Sequence, residues 1–239
     1  SCCRCACRRD LRRAAPTARV SRRASVQPTL VADERLVTSP SPLVPPSQHS
    51  PVYTMGKRPT EHNILTDVET LASLGATVHK ARRGGDVTFH GPGQHVVYPV
   101  VDLRASELGA RAYVEGLEDV MIDAAASFGV RATGRVPEMT GVWARGKKLG
   151  AVGVQISRGV ASHGFAFNRD VDLRWFDAIV PCGLRGKGVT TLRDEVEGGR
   201  EGGAPSAMEV EWRLIDAFAK RFGYVDVDAT RVGAGDDDG

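Results

Sequence analysis

The sequence predicts a mixed α/β (α+β) domain, a β-sheet flanked by helices, and three observations carry that prediction. Two amphipathic helical stretches, 109–128 and 206–222, stand apart from each other with strand-like segments between them. Those strand-like segments are irregularly spaced, which fits a mixed sheet better than a strict β-α-β repeat. At 239 residues the chain is long enough to bury a sizeable core as one domain with tails.

Taken in order, residues 1–28 read as an organelle transit peptide. They hold eight arginines, several Ala and Ser, and Asp10 as the single acid, which is the arginine-rich, acid-poor composition of such leaders. With no initiator Met, the chain reads as starting inside a longer precursor. Residues 29–50 are rich in Pro and Ser without helical or strand period, and read as a linker or a degenerate N-terminal edge. Order is expected from 51–55 (PVYTM), a β-type run stopped by Gly56. Residues 67–74 put Val68, Leu71 and Leu74 on one face and end at Gly75, the pattern of a short helix with a C′ glycine. Residues 77–82 are extended, and 95–101 (HVVYPVV) form a continuous buried-type strand.

In the first long helix Tyr113, Leu117, Val120, Met121, Ala124 and Ala125 recur every three or four residues, and Gly129 closes it. Strands are expected over 141–145, 149–157 and 160–168, then a short helix over 173–179 that runs into Pro181-Cys182-Gly183. In the second long helix Val210, Leu214, Phe218 and Phe222 share a face. A catalytic body of residues 51–226 and an acidic, disordered tail of 227–239 complete the organisation.

Charge and cysteine content exclude several classes. Residues 1–50 carry nine arginines against Asp10, Asp33 and Glu34, a net +6, so with the whole chain at +3 the rest carries −3. A mildly acidic body argues against nucleic acid as the main partner. No run approaches the ~18 apolar residues of a membrane span. Cys2, Cys3, Cys5 and Cys7 lack a histidine or second cysteine pair at ligand spacing, so no metal site is expected. Cys182, alone in the body, excludes a disulfide framework and fits a reducing compartment.

The chain is organised around Arg83-Gly-Gly-Asp-Val-Thr-Phe-His90 and its continuation Gly-Pro-Gly-Gln94. Four glycines among charged and β-branched residues mean either a backbone that approaches a ligand or a hairpin without one. The pattern matches neither dinucleotide nor P-loop fingerprints. Cys182 sits between Pro181 and Gly183, which leave its sulfur unshielded. A buried loop cysteine and a reactive thiol both fit, and reactivity needs a thiolate-favouring partner among His90, His163, Lys147 and Lys148. Lys147 and Lys148 open an apolar strand whose alternation sends them to opposite faces. The inward one would be a usable base near neutral pH through desolvation. Residue physics alone leaves the partner open.

The segments RRGGDVTFHGPGQHVVYPVVDLR, TGVWARGKKLGAVGVQIS, SHGFAFNRDVD and IVPCGL together resemble the lipoyl(octanoyl) transferases of lipoate biosynthesis. The resemblance runs in order from about residue 52 to 195, and more loosely to 222. PVYTMGKRPTEHNIL and GARAYVEGLEDVMIDAA are most similar to the mitochondrial branch. It implies the fold shared with biotin and lipoate protein ligases. It also implies that Cys182 carries the acyl group and Lys148 pairs with it, with Lys147 outside the motif. Substrate is then held along Arg83, Gly84, Gly85, Asp86, Val87, Thr88, Phe89 and His90, by Ala151, Val152 and Gly153, and by Gly164, Phe165 and Ala166.

The implied donor is octanoyl-acyl-carrier protein, whose phosphopantetheine arm brings the acyl group, so the enzyme needs no cofactor of its own. The implied acceptors are lipoyl-domain proteins, namely the E2 subunits of 2-oxoacid dehydrogenases and the glycine-cleavage H protein. The implied compartment is the mitochondrion, with the plastid as the alternative. Glycines 84, 85, 153 and 164 would let backbone N–H groups reach the acyl oxygen. One departure is the Pro/Ser-rich stretch where the family has an opening strand and helix. Two other readings stand beside this one. An ATP-dependent lipoate or biotin protein ligase on the same fold would not need Cys182. A non-catalytic carrier- or lipoyl-domain-binding module would be indifferent to its loss.

Overall fold

The computed structural model describes residues 18–23, 43–47, 49–58, 63–180, 186–196, 204–224 and 227–232, the first two segments and the last as backbone only. Eight strands form the larger sheet: β1 (Ala18–Arg23), β2 (Leu43–Ser47), β6 (Gln94–Pro99), β7 (Val101–Asp102), β8 (Val142–Ala144), β9 (Lys147–Ser157), β10 (Val160–Asn168) and β11 (Val227–Val232). Their order is β11-β1-β2-β6-β10-β9-β8, with β7 beside β10. Pairing is parallel for β11-β1-β2 and antiparallel for the rest, so the sheet is mixed as predicted. The smaller sheet, β4-β3-β5, comprises β3 (Val52–Met55), β4 (Thr77–Lys80) and β5 (Val87–His90).

Helices α2 (Ala110–Ala126) and α4 (Ala207–Phe222) pack on each other, α2 lies against β8, β9 and β10, and the single turn α3 (Leu192–Glu195) precedes α4 in the chain. The interface is the main core, where Tyr113, Leu117, Val120 and Met121 of α2 meet Leu149, Phe165, Phe167 and Leu214. The predicted periods hold here because each apolar position faces that core. Ser206 caps α4 by accepting a hydrogen bond from Glu209 N (3.2 Å), and Gly223 ends it at φ 74°, a left-handed conformation that glycine adopts without strain.

A second core lies under the small sheet. Phe89 is fully buried, stacked on Trp175 at 5.2 Å and edge-on to Phe176 at 5.6 Å, and Tyr53 Oη donates to Trp175 O (2.7 Å). The aromatics Trp175 and Phe176 come from a 3-10 helix, Leu173–Ala178. The short helix α1 (Val68–Ser73) is capped by Asp67 and followed by Gly75 at φ 83°, the C′ glycine the sequence predicts, but its expected apolar face is not one. Leu71 alone is buried, while Val68 and Leu74 are exposed. A helix of under two turns meets its neighbour along one residue's width.

Strands β1, β2 and β11 fall in the segments read from the sequence as leader (1–28), linker or degenerate edge (29–50) and tail (227–239). Their strand character comes from distant partners: Ala18 to Arg23 runs parallel to Val227 to Val232, at opposite ends of the chain, and β2 pairs with β6. Local period carries no trace of such a pairing. The predicted strand over 95–101 divides into β6 and β7, and β5 is a strand inside the stretch read as a glycine-rich turn. Among the described residues no helix is long and apolar enough to cross a membrane.

Candidate active site

A groove separates the two sheets. Its floor belongs to β9 and β10, where Ala151 pairs with Ala166 and Gly153 with Gly164. Two alanines and two glycines leave the floor nearly bare of side chain. Its rim holds Thr54, Ala81, Arg83, Gly85, Thr88 and His90 from the smaller-sheet side, and Val96, Tyr98 and His163 from the larger sheet. The glycines are set by close approach. A Cβ on Gly153 would stand 2.9 Å from Arg83 Cδ, and one on Gly164 would stand 2.2 Å from Val97 O, inside contact distance of neighbouring backbone.

Arg83 clamps the loop that forms the roof. Its Nε and Nη2 donate to Thr54 Oγ1 (3.2 and 2.7 Å) and Nη2 also donates to Thr54 O (2.6 Å). Nη1 donates to Gly84 O (3.0 Å) and Asp86 O (2.9 Å). The planar guanidinium satisfies the turn's carbonyls and ties them to β3, which a point charge would not do. Gly84 N donates to Val154 O (2.8 Å), joining the roof to β9. That N–H is therefore committed, and the sequence expectation that it reaches an acyl oxygen does not hold for Gly84.

Alternation along β5 sorts the predicted binding residues. Thr88 and His90 face the groove, whereas Val87 and Phe89 belong to the second core. Asp86 is also absent from the groove wall. Its carboxylate accepts a hydrogen bond from Asn63 Nδ2, and Asn63 O in turn accepts from Val180 N (2.8 Å). Val152 and Phe165 line the groove while also packing on the main core.

Lys147 is exposed and Lys148 is buried, as strand alternation predicts. Lys148 Nζ lies 5.1 Å from the centre of the Trp143 ring. The strand it opens is laced to the segment 188–190: Lys148 N donates to Gly188 O (2.9 Å) and Thr190 N donates to Lys148 O (2.9 Å). Buried Glu118 of α2 braces this corner by accepting from Arg135 N (2.8 Å) and Gly141 N (2.7 Å). Gly141 in turn lies against the Lys148 stem, where its Cβ would be 3.4 Å from Cε. Cys182, with Pro181 and Gly183, lies outside the described residues.

One residue beside the groove carries no sequence signal of its own. His49 sits in the Pro/Ser-rich stretch, yet its Nε2 is 2.8 Å from Tyr98 Oη and its ring 5.8 Å from that of His90. His163 is buried in mid-strand at φ 57°, strained for a non-glycine residue. Burial lowers the pKa of His49, and burial then Arg83 and Lys57 lower that of His163. His90 is pushed down to about 3, chiefly by desolvation, against the opposing hydrogen bond to Gln94. The three imidazoles are therefore neutral at physiological pH. The periodic sequence around them signals strands and nothing of this convergence.

Solved structures define the class. A putative lipoate protein ligase from T. acidophilum with bound lipoic acid matches with TM-score 0.71 over 91% of this chain and 89% of its own, at 17% identity. A lipoate-protein ligase A bound with ATP matches with TM-score 0.71 over 91% and 90% of the two chains, at 16% identity. The fold is thus that of the lipoate protein ligases.

The lipoyl protein ligase A/B catalytic domain matches residues 28–219, and the chain belongs to that family and is an acyltransferase. It is 44% identical over 202 residues, 84% of each chain, to the mitochondrial octanoyltransferase LIP2 of Arabidopsis thaliana. It is 46% identical over 178 residues to an octanoyltransferase of Rubrobacter xylanophilus, covering 74% of this chain and 77% of that one.

Proposed function

We propose that the protein transfers an octanoyl group from octanoyl-acyl-carrier protein to a lysine of lipoyl domains, through a thioester on Cys182. The observation that carries this reading is the lacing of residues 188–190, which follow Cys182 by six to eight positions in the sequence, onto the buried Lys148. The groove supports it too: a floor of Ala151, Gly153, Gly164 and Ala166 suits an unbranched chain. Burying seven methylenes and methyls at ~0.8 kcal/mol each stabilises such a chain by roughly 5 kcal/mol.

In the first step the Cys182 thiolate attacks the donor thioester; a new C–S bond forms, the old one breaks, and pantetheine leaves as its thiol. Lys148 takes the Cys182 proton, and its ammonium stabilises the thiolate. In the second step the acceptor lysine attacks the acyl carbon, an amide forms and the Cys182 sulfur leaves. Exchange between thioesters is nearly isoergic and amide formation is downhill, so neither ATP nor a resident cofactor is needed. The proposed acceptors are the E2 subunits of 2-oxoacid dehydrogenases and the glycine-cleavage H protein. The arginine-rich N-terminal segment and the relative named as mitochondrial support a mitochondrial location.

Intact-protein mass after mixing with octanoyl-acyl-carrier protein, without ATP, tests this. One octanoyl group is expected on the wild type, none on Cys182→Ser, and slower loading on Lys148→Ala. A folded wild type that stays unloaded until ATP and free octanoate are added would identify a ligase instead.

A further inference from the structure

A buried chain of hydrogen bonds runs from the groove to the strand of Lys148. His90 Nδ1 is 2.8 Å from Gln94 Oε1. Gln94 Nε2 donates to Phe89 O (3.2 Å) and to Asn168 Oδ1 (2.9 Å), and Asn168 Nδ2 donates to Thr190 O (3.0 Å). Beyond it, Thr190 N donates to Lys148 O and Thr190 Oγ1 to Glu195 Oε1 (2.7 Å), whose other oxygen pairs with Arg145 Nε at 2.5 Å.

Two backbone carbonyls at the ends of this chain fix its direction. Phe89 O and Thr190 O can only accept, so both amides must turn their NH2 groups toward them. Gln94 then has both N–H donors committed and offers its oxygen to His90, so the His90 proton sits on Nδ1. The ring is neutral, so Nε2 carries a lone pair. That edge belongs to a residue lining the groove, and Nε2 makes no hydrogen bond among the described residues. Gln94 and Asn168 are 2% and 3% exposed, so water does not compete for their donors and acceptors.

We propose that Gln94 and Asn168 are positioning residues of the transfer: they hold His90 in the Nδ1–H tautomer, so that its Nε2 lone pair accepts a hydrogen bond from the acceptor-lysine amine and aims that amine at the acyl carbon. This rests on the octanoyl transfer proposed above. His90 takes no proton. The neutral amine forms the C–N bond, the C–S bond breaks with the electron pair leaving on sulfur, and the proton shed by nitrogen returns the thiolate to a thiol. An acceptor that stays neutral under Arg83, His49 and His163 suits orientation, where a titrating base would not.

The test separates the two edges of the ring. Octanoyl-enzyme is prepared from the full chain, and its single-turnover decay with a lipoyl domain is followed by mass. His90→Asn keeps an amide N–H where Nδ1–H stood but nothing at Nε2; His90→Gln keeps an acceptor near Nε2 and loses the link to Gln94. The amine-transfer step is expected to slow about 10²-fold in His90→Asn and less than about 10-fold in His90→Gln. Gln94→Glu stabilises a protonated His90 and is expected to add a limb to the pH profile, transfer failing as pH falls, that the wild type lacks. Equal or reversed rates for the two His90 variants, or a Gln94→Glu profile matching the wild type, would overturn the proposal. A wild type that never acquires an octanoyl group would instead overturn the transferase reading beneath it.

Discussion

Gly153→Ala adds one methyl where the groove's floor meets its roof. The new Cβ would stand 2.9 Å from Arg83 Cδ and 3.3 Å from Gly84 O. Arg83 cannot swing aside, because its guanidinium makes five hydrogen bonds to Thr54, Gly84 and Asp86. Gly84 is held as well, by Val154 O at 2.8 Å. The strain must therefore move the roof or bend β9, and overpacking of this kind costs about 1–3 kcal/mol. For a domain of this size ~2 kcal/mol lowers the Tm by about 4–8 °C. The methyl also displaces about one methylene of the bound chain. At ~0.8 kcal/mol that is close to fourfold in selectivity, so the preference for octanoyl over hexanoyl should shrink by that factor. Calorimetry gives the first number, and competition between hexanoyl and octanoyl thioesters, read by mass, gives the second. A variant with unchanged Tm and unchanged chain-length ratio would refute the picture of a roof pinned one van der Waals contact above Gly153.

Two further perturbations probe the same architecture. Arg83→Lys offers at most three donors to acceptors that now receive five hydrogen bonds, leaving carbonyls of the turn unmet; urea unfolding should show a loss of about 2–4 kcal/mol. The protein should also lose stability in mild acid. His95 is pushed down to about 4 and His90 to about 3, chiefly by burial, so the unfolded chain takes up protons near pH 6.5 that the folded chain refuses. Their stabilisation is complete above pH ~6.5 and is lost as pH falls toward those folded values. At pH 5 the His95 share of the loss is about 2 kcal/mol, and His95→Gln should flatten the unfolding free energy between pH 7 and 5.

What was legible in the sequence is what short-range physics writes there. The 3.6-residue period of Tyr113, Leu117, Val120 and Met121 survives because one face meets one core, and the alternation expected where β9 opens holds in that Lys147 and Lys148 part, one exposed and one buried. Residues that act through partners far along the chain left no such mark. Arg83 opens the stretch whose resemblance implies substrate holding, yet Thr54 makes it a clamp. Val87 and Phe89 belong to a motif that resembles a substrate site, yet β5 alternation turns them into the second core, leaving Thr88 and His90 to the groove. His49 and Tyr98 meet only because β6 runs past the stretch that resembles a linker.

The two kinds of residue complete one another. A floor made of Ala and Gly has almost no side chains to set the height of a groove, and apolar packing alone would close it. Its height must be held from the sides by bonds of fixed length. Arg83 does this on the roof, the Gly84–Val154 bond at one edge, and the Gln94–Asn168–Thr190 chain at the other. Arg83 and the Gln94–Asn168–Thr190 chain are buried, where a lost partner costs more than a formed bond gains. Buried polar groups in so small a domain are therefore the expected companions of a cavity that must stay open for an apolar chain. Their directionality then gives the neutral His90 a defined orientation as well.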